Sequence, residues 1–235
     1  MNDINQFIDE RNFNLWNLLN TKFNITIENS NNGEYSCFTK NSDATLYVNP
    51  NNICIESFSH ELLHIYLKYK EFYLGSSLIY VINQSRILNR LCSGKLIDHI
   101  GNCLDHLKMF EIYKELGFQN EKFLLDYHKH KLSDIELNTL KRNYKIGIKI
   151  NTNVVDLFIG KLVAILCDPN PENNYKNALF TFKQLDPKLY FAVETLIEET
   201  KAFNIDSNDI LVSYRDISNN FYSNLVNWIK ATKMA

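Results

Sequence analysis

Apolar residues recur at helical spacing over most of this chain and at strand spacing in one short region near its start. Ile4, Phe7, Ile8, Leu15, Leu18 and Leu19 predict an amphipathic helix over 4–19, with Trp16 beside the stripe. Three alternating stretches follow at 24–28, 34–39 and 44–48. Turn-forming residues separate them, Asn29 to Gly33 and Lys40 to Asp43, so the pattern predicts a small antiparallel meander. Pro50 closes it, because proline cannot donate to a ladder.

Ile55, Phe58, Leu62, Ile65, Tyr66 and Tyr69 then predict a helix over 53–73, capped by Asn51 or Asn52 and ended by Gly75. It is apolar on most sides, as a buried helix must be. Residues 76–91 can form a helix capped by Ser76 and Ser77, or a mobile segment; the caps favour the helix. Leu96, Ile100, Cys103, Leu107 and Phe110 give one apolar face to the next helix, which Gly117 stops. Beyond residue 118 the strand signals fade. Helical periodicity appears at 123–128, 132–144, 154–167, 175–185, 187–203 and 217–232, with Pro187 at a first turn and Asp168-Pro169-Asn170-Pro171 as a break. The expected class is α+β: residues 1–118 hold the helix, small sheet and buried helix, and 119–235 form a mostly helical lobe packed on them as one continuous structural unit.

Composition adds exclusions rather than a function. The 235 residues are 45% hydrophobic and 22% charged, with a net charge of −2, which gives no electrostatic case for nucleic acid or an anionic membrane. No apolar run is long enough to span a bilayer, and the start, Met1-Asn2-Asp3-Ile4-Asn5, has no secretory character. Five cysteines, Cys37, Cys54, Cys92, Cys103 and Cys167, are scattered without a Cys-x-x-Cys pair and read as reduced thiols of a cytoplasmic protein. The run His128-Lys129-His130-Lys131 reads as a solvated loop. Glu194, Glu198 and Glu199 read as a solvated helix face, and Phe180, Phe182, Tyr190, Phe191 and Trp228 as core.

The chemistry concentrates in His60-Glu61-Leu62-Leu63-His64. Histidines four residues apart on a helix share one face, where both imidazoles can bind one metal ion. Glu61, off that axis, is placed to take a proton from a metal-bound water instead of binding the metal. This H-E-x-x-H pattern, preceded by a meander whose last strand is Thr45-Leu46-Tyr47-Val48, resembles the core of the zincin-like metallopeptidases. The resemblance covers roughly the first half of the chain. It implies Zn²⁺ as cofactor, a peptide or protein substrate and Glu61 as general base. It also implies an edge strand that pairs with an extended substrate, for which 44–48 is the candidate; the alternative is that 44–48 is paired on both sides.

A catalytic zinc needs a third protein ligand. The metzincin form is excluded, because Leu67 and Lys70 stand where it requires glycine and histidine. The thermolysin-like form is excluded at its usual spacing, because residues 78–90 contain no acidic side chain. On the next helix His99, Asn102 and His106 share a strip flanking the apolar face, which makes His106 the first candidate. Asp105, His99, Asp98 and Glu111 follow it. Asn102 is placed to orient His106, and Tyr113 is a candidate for the oxyanion site. The competing class is a catalytically silent binding or regulatory protein on the same scaffold.

Overall fold

The computed structural model of the protein describes residues 4–207, 209 and 211–235; Met1–Asp3, part of the N-terminal stretch read above, lie outside these. Among the described residues there are ten α-helices and a mixed three-stranded sheet near the N-terminus, an α+β arrangement that is mostly helical. The chain divides into two compact units, Met1–Phe72 with Lys108–Tyr127, and Tyr73–Leu107 with His128–Ala235. No helix is long and apolar enough to cross a membrane among the described residues.

In the first unit a 3₁₀ turn at Ile4–Gln6 precedes α1, Phe13–Asn20. The single helix expected over 4–19 is therefore interrupted. Asp9 and Asn12 capture backbone instead: the Asp9 carboxylate accepts from the Arg11 N–H at 2.9 Å, and the Asn12 side chain accepts from the Asp9 N–H at 2.9 Å. Asn12 is fully buried, and its amide donates to the Phe7 carbonyl and to the Ser59 hydroxyl. The second of these bonds ties the start of α1 to the next helix one residue before His60.

The strands are β1 (Asn24–Asn29), β2 (Ser36–Lys40) and β3 (Asp43–Val48), in spatial order β1-β3-β2. The predicted antiparallel meander is corrected here, because β1 pairs with β3 in parallel, Asn24 opposite Asp43 and Asn29 opposite Val48, and only β2 and β3 run antiparallel. Burial explains the order. Ala44, Leu46 and Val48 of β3 are fully buried, whereas β1 and β2 are at most half-buried, so the most apolar strand takes the centre. The edge-strand expectation for 44–48 fails with it: β3 is paired on both sides, and the edges belong to β1 and β2.

α2, Ile55–Tyr69, packs against α1, β2 and β3, which is why apolar residues surround it. Phe58, Leu62, Leu63, Ile65 and Leu67 are all fully buried, each contributing about 1.5–3 kcal/mol by leaving water. Cys54, not Asn51 or Asn52, is its N-cap, accepting from the Ser57 N–H. It stops six residues before Gly75. Glu71 adopts φ 59°, and the Glu71 and Phe72 N–H groups return to the Lys68 and Leu67 carbonyls, the hydrogen-bond pattern of a Schellman stop.

The second unit begins with α3 (Leu74–Asn83) and α4 (Arg86–Leu91), two helices divided at Ser85, whose hydroxyl caps α4. Gly75 lies inside α3 and serves packing instead of termination: a Cβ on Gly101 would sit 3.1 Å from the Gly75 Cα, so the α3 backbone touches that of α5, Gly94–Glu115. α5 runs on into the first unit at Lys108. No α-helix forms at 123–128; a 3₁₀ turn at Asn120–Lys122 delivers Phe123 into the core. α6 (Asp134–Asn143) carries a full Ser133–Glu136 capping box, and a β4–β5 hairpin (Lys145–Ile146, Lys149–Ile150) turns at Gly147, φ 62°. α7 (Val155–Leu166) is the most apolar helix of this unit and packs against α8 (Lys176–Leu185) and α9 (Pro187–Ala202). α10 (Tyr214–Lys230) packs on α9 and α3. Phe182, Tyr190 and Trp228 are buried as expected, but Phe180 and Phe191 are 65% and 59% exposed, on the outer faces of α8 and α9.

Asp186 organises this unit. One carboxylate oxygen caps α9 by accepting from the Lys188 and Leu189 N–H groups; the other accepts from the Tyr144 hydroxyl at 2.9 Å and the Trp228 indole at 2.7 Å. Burial, together with the Asp186 charge, holds the Tyr144 phenol far above its ordinary pKa. Asp186→Ala strands a tyrosine hydroxyl, an indole N–H and a helix start, and is expected to cost about 3–5 kcal/mol; Tyr144→Phe removes one bond and costs about 1–2 kcal/mol. Urea unfolding of the two variants checks the ratio. In the first unit Glu71→Gly relieves a left-handed non-glycine residue and is expected to stabilise by about 1 kcal/mol in the same assay. Glu71 also pairs with Lys22 at 3.2 Å, and a loss of stability in Glu71→Gly would show that this ion pair outweighs the backbone.

Candidate metal centre

α2 presents His60 and His64 one turn apart, with ring centroids 5.1 Å apart and planes at 67°. His106 lies on α5, and one ring nitrogen from each of His60, His64 and His106 falls within 4.8 Å of the others. This triad could hold a metal ion. Its donor set, three imidazoles, is one that a divalent metal ion such as zinc accepts.

The surroundings keep His60 in the form that binds metals. Only 8% of it is exposed; burial, and secondarily the neighbouring His64, push its pKa down to about 3, while a hydrogen bond to the Phe123 backbone works in the opposite direction. The ring is therefore neutral at pH 7. That backbone bond also occupies one ring nitrogen, which fixes the orientation of the other. The Phe123 ring packs on His60 at 4.9 Å and is backed by Phe110 at 5.0 Å and Tyr113 at 5.1 Å, so the wall behind His60 is aromatic.

Glu61 lies on the β2 side of α2. Burial raises its pKa above the usual carboxylate range; His64 and hydrogen bonds from the Cys37 thiol and the Cys37 backbone N–H pull it back down. Neither Phe123 nor Cys37 was signalled by spacing in the sequence, since each reaches α2 from a distant segment. A half-buried cysteine facing inward on a strand carries no mark that distinguishes it from core packing.

The other candidates stand apart from the triad. His99 is exposed, its ring meeting the Gly160 carbonyl at 3.2 Å and the Cys103 sulfur at 3.8 Å. Asp98 and Asn102 are exposed, and Glu111 pairs with Lys114 at 2.6 Å. Asp105 is buried beside His106 but does not join the triad. Tyr113 is fully buried; burial, Glu56 and Cys54 raise its pKa, and a hydroxyl so enclosed offers nothing to a substrate oxygen. Of the basic run, His130 is not simply solvated: its ring packs at a tilt of 52° on Tyr175, 4.5 Å away. None of the five cysteines, all of them among the described residues, is in a disulfide.

No family model, curated protein or solved structure matches the chain. The geometry of the three imidazoles and Glu61 therefore carries the functional argument.

His106→Ala is expected to lower zinc affinity by orders of magnitude, comparably to His60→Ala and His64→Ala, when each purified variant competes with a chromogenic chelator. Asp105→Ala, which leaves the three imidazoles intact, costs about 10- to 100-fold. Exchange of the two phenotypes would make Asp105 the ligand.

Proposed function

We propose that the protein is a zinc-dependent peptide hydrolase with a zincin-like core, acting through Glu61. The observation that carries this reading is the three-imidazole cluster with a carboxylate on the adjoining helix position, one residue after the first histidine. A purely structural zinc site closes all four positions with protein ligands and has no use for a base next to the open one. His60, His64 and His106 would hold the zinc, which when bound would supply Lewis acidity toward a water and a carbonyl.

The remaining work falls to this chain's own groups. Glu61 accepts the proton of the attacking water and returns it to the amine that leaves, so one carboxylate serves as base and then as acid. Burial shifts its pKa upward from the ordinary carboxylate range, the direction that a base which must also return a proton requires. An extended peptide pairs through backbone groups, which discriminate little among side chains. With β3 enclosed on both sides, the free edges of that sheet belong to β1 and β2.

Glu61→Gln removes the base and no metal bond. The variant is expected to keep its zinc and its fold while losing at least about 100-fold in the hydrolysis of a fluorescence-quenched peptide library. Activity retained in Glu61→Gln would overturn the mechanism, and loss of zinc would make Glu61 a ligand.

A further inference from the structure

The two-residue turn Asn41-Ser42, with Asn41 at φ 55°, joins β2 to β3 and makes Lys40 and Asp43 the closing pair of a hairpin. In an antiparallel ladder, hydrogen-bonded and non-hydrogen-bonded pairs alternate from that closing pair. Counting back, Lys40–Asp43, Phe38–Thr45 and Ser36–Tyr47 exchange bonds, while Cys37–Leu46 does not. The Cys37 N–H therefore turns outward, to the unpaired edge of β2. Its side chain lies on the same face as that of its buried partner Leu46, the face packed against α2, while Ser36, Phe38 and Lys40 are exposed. Backbone and side-chain donors of one residue thus converge on one acceptor, the Glu61 carboxylate.

We propose that Cys37 is a positioning residue: its N–H and its thiol fix the Glu61 carboxylate in the orientation from which it serves the water of the metal centre. The proposal rests on the hydrolase reading above. A carboxylate on a helix can rotate about several bonds, and a base displaced by about 1 Å loses much of its effect. Two donors from one strand residue remove that freedom. A thiol suits the task, because it is a weak donor that orients a carboxylate without competing strongly for its proton, where a lysine or arginine would lock it as an ion pair.

The test uses the full chain loaded with zinc, the best substrate from the peptide library, and infrared absorption in the S–H stretching window, where proteins show little else. Cys37→Ala is expected to lower kcat about 10-fold with KM and zinc content unchanged, and Cys37→Ser, which restores a donor, to recover most of that loss. The S–H band that disappears in Cys37→Ala is expected to lie at low wavenumber in the parent and to move up in Glu61→Gln, whose neutral amide is the weaker acceptor. A Cys37→Ala protein with the parent's kcat overturns the proposal, as does an S–H band that Glu61→Gln leaves in place. A chain that cleaves nothing in the library while its band still moves overturns the hydrolase reading and leaves the Cys37–Glu61 contact standing.

Discussion

Burying an ionisable helix is the constraint on which the first unit depends. α2 places two imidazoles and a carboxylate in a helix that is otherwise lined by Phe58, Leu62, Leu63, Ile65 and Leu67, all inaccessible to solvent. Each polar group needs a partner that compensates for lost water. Phe123 supplies its backbone to His60, Cys37 supplies two donors to Glu61, and Asn12 bonds Ser59, the residue before His60. The partners come from three separate segments, so the setting of His60 and Glu61 is not a product of the motif alone.

The second unit meets the same difficulty with a single group. Asp186 is 7% exposed, and four N–H and O–H donors satisfy its carboxylate. Those donors come from α6's C-terminal side, from α9 and from α10, so one carboxylate sets the relative placement of three helices. Around it the core is apolar, with Phe158 of α7 packed edge-on to Phe182 at 4.9 Å and tilted on Tyr144 at 4.9 Å.

Helices were legible where one face repeats over several turns. α2, α5 and the helices from α6 to α10 follow from their apolar spacing, and His106 could be singled out because it flanks such a face. Strand order was not legible, because parallel pairing of β1 with β3 depends on which strand is most deeply buried, and all three carry similar alternation. Nor was the end of α2: the left-handed residue is Glu71, which has no propensity for that conformation, while the glycine four residues on is used for helix contact. Phe123 and Cys37 were invisible for a related reason. Their roles exist only after distant segments meet, and no local period records them.

The turn at Asn41 has a reach beyond its two residues. Side chains alternate along a strand, so a slip of one residue between β2 and β3 would exchange the faces of every β2 side chain. Cys37 would swing to solvent and the ring of Phe38, now 59% exposed, would face α2 in its stead. What selects the donor beside Glu61 is thus the handedness of one backbone torsion at the far end of the hairpin, and any insertion there rewrites the neighbourhood of the carboxylate without touching it.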